Sequence, residues 1–124
     1  MTKMFGRVAL IGIGLIGSSL SHVMRRNSLA DEITGYARSE QTRSRALELH
    51  LVDRIFPSAA EAVAGADLVI FCSPVGTYAA LAQEIGPALS QGAIVTDVGS
   101  VKGAVVRDIA PHLPDGVHFI PGRV

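Results

Sequence analysis

Tryptophan is absent from this chain of 124 residues, and its aromatic set is limited to two tyrosines and four phenylalanines. That leaves no platform on which the bases of single-stranded nucleic acid would stack. There is one cysteine, Cys72, so no intrachain disulfide can form, whereas secreted domains of this size often carry several. Formal net charge is zero, with eleven Lys and Arg against eleven Asp and Glu and no block of either sign. Binding nucleic acid needs clustered cations to displace counterions, and none are clustered here. No apolar run approaches the roughly 20 residues that span a bilayer. The four histidines, His22, His50, His112 and His118, are scattered. No pair has metal-ligand spacing on one face, so no metal site is expected. These absences point to a cytoplasmic protein with neither nucleic acid nor membrane as a partner.

What is present is apolar: 48% of residues are hydrophobic and mean hydropathy is positive. Such a chain is globular, and at this length it reads as one domain, residues 1–124. The stretch VALIGIGLIGSSLSHVMRR, from Val8 to Arg26, admits two readings. A basic flank, an apolar core and small residues describe a secretory signal peptide. The glycines argue for the other reading. Gly12, Gly14 and Gly17 form G-x-G-x-x-G. Before them, Arg7 to Ile11 reads as a buried strand. After them, Leu15, Ile16, Leu20, Val23 and Met24 recur at helical spacing, with Ser18, Ser21, Arg25 and Arg26 largely on other faces. Strand, glycine turn and helix together are the context a dinucleotide fingerprint requires. The first glycine permits the turn, the second lets backbone approach the pyrophosphate, and the third lets the helix pack closely. Leu15 and Ile16 then contribute helix N-terminal amides to the phosphates.

The remainder alternates strand and helix. Glu32–Ala37 reads as a strand. Ser39 to Leu49 reads as a helix capped by Ser39, and Ser58 caps a brief helix through Val63 that Gly65 ends. Asp67–Cys72 is a buried strand, Thr77–Leu89 a helix with Thr77 positioned to cap it, Ala93–Asp97 a strand, Val101–Ala110 a helix, and Val117–Ile120 a last strand. Between the second strand and Ser58, Val52–Phe56 is a link or short strand. Strands this apolar, separated by helices, predict a Rossmann-like, doubly wound α/β fold: a mainly parallel sheet with helices on both faces.

In such sheets ligands sit beyond the carboxyl ends of the strands, which directs attention to the loops there. At the end of the second strand, Ala37 takes the place where an NAD site usually has an acid, and Arg38, Ser39 and Arg43 follow. A guanidinium and a hydroxyl suit a 2′-phosphate, so the pattern favours NADP over NAD. Glu40 lies one frame away from reversing that choice. In the next loop, Cys72, Ser73, Pro74 and Val75 are candidates for the nicotinamide ribose, with Cys72 a small buried hydrophobe rather than a nucleophile. The segment Thr96-Asp97-Val98-Gly99-Ser100-Val101-Lys102-Gly103 gathers a carboxylate, a hydroxyl and an amine at a strand end before a helix. Capping explains Ser100 but not the whole Gly-Ser-Val-Lys-Gly pattern. Asp97 is a further candidate for the cofactor.

The series VALIGIGLIGSSL, ITGYARS, ADLVIFCSPV, GAIVTDVGSVKG and HFIPG resembles the nucleotide-binding half of the prephenate and arogenate (cyclohexadienyl) dehydrogenases of tyrosine biosynthesis, over essentially the whole chain. The resemblance implies oxidative decarboxylation of prephenate or arogenate by hydride transfer to NADP or NAD. It implies that Ser100 is catalytic, oriented near the substrate hydroxyl and the nicotinamide, and that Lys102 lies on the substrate side. It also implies a homodimer in the full-length family form. The family follows its Pro-Gly with a catalytic histidine and a helical dimerisation and substrate domain. Here Pro121-Gly122 leads to Arg123-Val124, and a guanidinium stays protonated. The chain as given is therefore expected to be inactive alone. Two other functions suit parts of the pattern: a non-catalytic dinucleotide-sensing module, and a β-hydroxyacid-type dehydrogenase domain.

Overall fold

The computed structural model describes residues 4–99 and 102–122, without the side chains of residues 15, 16 and 102. In chain order the elements are β1 (Phe5–Ile11), α1 (Gly14–Arg26), β2 (Ala30–Tyr36), α2 (Glu40–Glu48), β3 (Arg54–Phe56), α3 (Ala59–Val63), β4 (Leu68–Phe71), α4 (Tyr78–Ile85), β5 (Ile94–Asp97), α5 (Lys102–Ile109) and β6 (His118–Phe119). The strands form one sheet in the order β3-β2-β1-β4-β5-β6, parallel at every pairing. This is the doubly wound Rossmann order.

The reason lies in β1. Val8, Ala9, Leu10 and Ile11 are all completely buried, and side chains alternate across a strand, so both faces of the sheet need cover. Val8 and Leu10 join Ile33 and Ile70 under Met24 of α1 and Ala46 of α2. Ala9 and Ile11 join Val69, Phe71 and Val95 under α3, α4 and α5. Each such aliphatic side chain contributes about 1.5–3 kcal/mol relative to exposure.

Local signals place the helix starts. Ser39 Oγ accepts from the Thr42 amide at 3.1 Å, and Ser58 Oγ from the Glu61 amide at 3.4 Å. Three expectations change. The segment from Thr77 to Leu89 is α-helical only over Tyr78–Ile85, with 3₁₀ turns at Val75–Thr77 and Gly86–Ala88. Pro87 has no amide to continue the ladder. Thr77 does not cap α4: it is already helical, and its hydroxyl lies back against Pro74 O at 2.6 Å and Ser73 Oγ at 2.8 Å. On α1, Ser21 is buried and Val23 is exposed, the reverse of their polarity. Gly17, Ser21 and Met24 form the inward stripe, and Ser21 Oγ donates to the Leu51 carbonyl, which satisfies the buried hydroxyl.

At the amino edge of the sheet, Glu32 sits between Arg7 and Arg54. The other end of Arg7 donates to Ala64 O at 2.7 Å, and Asp67 Oδ2 accepts from the Gly6 amide at 2.7 Å. Burial raises the Glu32 carboxyl, but hydrogen bonds from Arg54 and Arg7 outweigh it and hold the group below its usual 4.5. A carboxyl lowered in the folded state contributes stability above its unfolded value and loses it as pH falls through the folded one. Glu32→Gln should therefore cost up to about 1 kcal/mol at neutral pH, since the ion pairs are half-exposed. That difference should shrink below about pH 4. Thermal unfolding of both proteins across pH 3–7 measures it.

Candidate functional site

Strand order reverses between β1 and β4, and a cleft of about 1010 Å³ opens beyond their carboxyl ends. Its walls are the 12–14 turn, the 36–39 loop, the loop after β4 and the Ala80–Glu84 side of α4. The three glycines of the turn differ in what a side chain would meet. Gly12 has φ +88°, and a Cβ there would lie 2.8 Å from Ser73 Cβ and 2.9 Å from Ser73 Cα and N. Backbone cannot yield at that distance. At Gly17 a Cβ would press on the Gly12 carbonyl at 3.1 Å and come within 3.6 Å of Cys72 Cβ. At Gly14, with φ +46°, it would meet nothing within 4 Å. Gly12 thus makes the turn, Gly17 packs α1 onto it, and Gly14 faces open space in the cleft wall.

The start of α1 differs from those of α2 and α3. Ile13 supplies no side-chain cap, and the first turn holds no acidic residue. The leading amides and the positive end of the dipole of this 13-residue helix suit an anion. Leu15 and Ile16 lie in that first turn.

Beside it, Ala37 follows β2 directly and is 4% exposed. Arg38 and Ser39 are exposed and line the cleft. Glu40 lines a separate groove between α1 and α2. Arg43 departs from expectation: its Nη1 donates to the carbonyls of Ala37 at 2.8 Å and Arg38 at 2.9 Å. Its guanidinium sits behind the loop rather than in the cleft wall. Past β4, Cys72, Ser73 and Pro74 line the cleft, while Val75 packs against the core. Burial pushes the Cys72 thiol up to about 12, so it stays protonated at neutral pH.

Asp97 is 2% exposed, does not line the cleft, and accepts from two backbone amides. Oδ2 accepts from Gly99 N at 2.7 Å and Oδ1 from Gly122 N at 3.0 Å. A Cβ on Gly122 would lie 2.0 Å from the Asp97 carbonyl oxygen. The loop after β5 and the segment after β6 are thereby joined at the carboxyl edge. Tyr78 is buried beneath them. Its hydroxyl lies 3.4 Å from Phe71 O, and it is pushed up to about 12 by burial and by nearby Asp97 and Cys72. Ser100, Val101, Arg123 and the side chain of Lys102 lie outside the described residues. Sequence reasoning missed Ala80, Leu81 and Glu84, which give the cleft its α4 wall. Their helical spacing was visible, but not which face of α4 the cleft would use. No described helix is long and apolar enough to cross a membrane.

Residues 20–123 match the family model described as prephenate dehydrogenase, nucleotide-binding domain. The chain is 36% identical over 113 residues to a cyclohexadienyl dehydrogenase of Zymomonas mobilis subsp. mobilis, covering 91% of this chain and 39% of that protein. It is 30% identical over 124 residues to a prephenate dehydrogenase of Bacillus subtilis, covering 99% and 33%. Among solved structures, prephenate dehydrogenase from A. aeolicus in complex with hydroxyphenyl propionate and NAD+ superposes with a TM-score of 0.84 at 31% identity, covering 95% of this chain and 41% of that one. The chain thus spans 33–39% of the length of these two relatives.

Two outcomes follow from this geometry. Gly14→Ala should cost about 1–2 kcal/mol, the left-handed penalty alone, whereas Gly12→Ala should cost more because its Cβ also meets backbone. Urea unfolding ranks them, and equal costs would contradict the geometry. At pH 8 a thiol with a pKa of about 12 is about 10⁻⁴ thiolate. Iodoacetamide should therefore label folded Cys72 far more slowly than the urea-unfolded chain.

Proposed function

Because the chain belongs to the family of prephenate dehydrogenase nucleotide-binding domains, we propose that its cleft holds a nicotinamide dinucleotide, NADP in preference to NAD, for the oxidative decarboxylation of prephenate or arogenate. The observation that carries this reading is Gly14, which faces open space at the uncapped start of α1. A pyrophosphate needs that arrangement: close backbone approach, free amides and the positive end of a dipole. The chemistry a bound nicotinamide supplies is hydride acceptance from the substrate's hydroxyl-bearing carbon as the ring carboxylate leaves as carbon dioxide.

The residues of the chain have positioning roles. The turn from Gly12 to Gly17 carries the pyrophosphate. Arg38 and Ser39 take the 2′-phosphate, in the absence of an acid at Ala37. Ser73, with the backbone of Cys72 and Pro74, faces the nicotinamide ribose. Asp97 keeps Gly99 beside the segment that ends at Gly122. Ser100 orients the substrate hydroxyl, and Lys102 lies on the substrate side. Residues 1–124 are the cofactor-binding domain in this reading. A helical domain of the kind the family carries completes the substrate pocket and forms a homodimer.

Calorimetry on the chain tests the cofactor assignment. A charge-assisted contact contributes about 1.5–3 kcal/mol, so NADP should bind at least about tenfold more tightly than NAD. Arg38→Ala should remove that preference, and Gly14→Val should abolish binding of both. Tighter binding of NAD by the unmodified chain would overturn the NADP assignment. Unchanged binding by Gly14→Val would overturn the placement of the pyrophosphate.

A further inference from the structure

We propose that Arg43 is a positioning residue for the adenosine end of the dinucleotide, holding the 37–39 loop from behind so that Arg38 and Ser39 face the cleft. The inference rests on reading that cleft as a dinucleotide site.

Arg43 lies one turn into α2, and its Nη1 donates to two consecutive carbonyls, Ala37 at 2.8 Å and Arg38 at 2.9 Å. A trans peptide points its C=O and N–H in opposite directions. Anchoring these two carbonyls therefore turns the amides of Arg38 and Ser39 away from Arg43. The backbone is held at other points as well. The Ala37 amide donates to Phe56 O at 3.4 Å, and the Arg43 amide to Ser39 O at 3.1 Å. Ser39 Oγ accepts from the Thr42 amide and lies 2.8 Å from Thr42 Oγ1. The guanidinium is the element that reaches back across the loop and fixes two peptide planes at once. Arg38 and Ser39 line the cleft, and Arg43 does not.

This arrangement gives the two arginines separate tasks. Arg38, exposed at the cleft, is placed to meet a ligand phosphate. Arg43 has its Nη1 engaged with two backbone carbonyls, and turning the planar guanidinium toward a ligand would break both bonds. Its effect on binding then arises through the loop that every adenosine ribose must meet, whether or not it carries a 2′-phosphate. The contacts are half-buried or exposed, so water can replace a missing guanidinium. Loss of the side chain should loosen the loop without unfolding the domain.

The test compares NADP and NAD binding by calorimetry for the unmodified chain, Arg38→Ala, Arg43→Ala and Arg43→Lys, at temperatures well below each unfolding midpoint. Arg43→Ala should weaken NAD about threefold, the cost of ordering a loop on binding, and NADP by more, about tenfold, because Arg38 and Ser39 also lose their orientation toward the 2′-phosphate. The preference for NADP should shrink, and both dinucleotides should lose affinity. Arg43→Lys, which can still donate to carbonyls, should recover part of the affinity for both. Arg38→Ala should weaken NADP alone. Global destabilisation would not alter affinity where the protein is fully folded. A loss confined to NADP in Arg43→Ala would make Arg43 a phosphate ligand and overturn the proposal, as would no change for either dinucleotide. If Arg43→Ala fails to fold, the same criteria apply to Arg43→Lys. Failure of the unmodified chain to bind either dinucleotide would overturn the reading of the cleft and this inference with it.

Discussion

At the carboxyl edge of the sheet two backbones pass so closely that no side chain fits between them. Gly12 and Ser73 make that contact, and the site is arranged around it. β1 and β4 lie side by side, yet the chain leaves β1 for one face of the sheet and β4 for the other. Hydrogen bonding continues past the strands, with the Cys72 amide donating to Ile11 O at 2.8 Å and the Gly12 amide to Tyr36 O at 2.9 Å. The two loops therefore stay joined up to the point where they part. Gly17 rests on the Gly12 carbonyl, so the turn also sets where α1 begins. The parting of the loops opens the cleft.

The two edges of the sheet are built differently. At the amino edge, Glu32 pairs with Arg7 and Arg54, while Arg7 and Asp67 bind nearby backbone groups. At the carboxyl edge, α1 starts without a side-chain cap, and Arg38 and Glu84 line the cleft while two other charged groups are engaged elsewhere. Asp97 is buried against amides and Arg43 lies behind its loop. Polar groups at this edge shape backbone, and the backbone shapes the cleft.

The strands were legible because a parallel sheet covered on both faces needs unbroken apolar runs, and Val8–Ile11 and Leu68–Phe71 are such runs. The serine caps were legible because capping is local: Ser39 and Ser58 act on amides three residues away. The glycine spacing carried its meaning for the same reason. What polarity could not show was a buried hydroxyl satisfied by a distant carbonyl, as Ser21 is by Leu51. Nor could it separate an arginine that faces a ligand from one that braces a loop, since Arg38 and Arg43 differ only in which way the chain turns beneath them. The role of Asp97 was out of reach as well, because one of its partners, Gly122, is 25 residues away.

Strand order also has a consequence for the timing of synthesis. β1 is made before β4, one of its two neighbours, with Val8 paired to Leu68 and Ile11 to Phe71. That partner is translated about sixty residues later. At about 5–20 residues per second, this is a wait of about 3–12 s. During that interval β1, whose Val8–Ile11 are completely buried in the folded domain, has one open edge and half its cover. A nascent chain in this state exposes an unpaired strand edge and apolar surface that the folded domain hides.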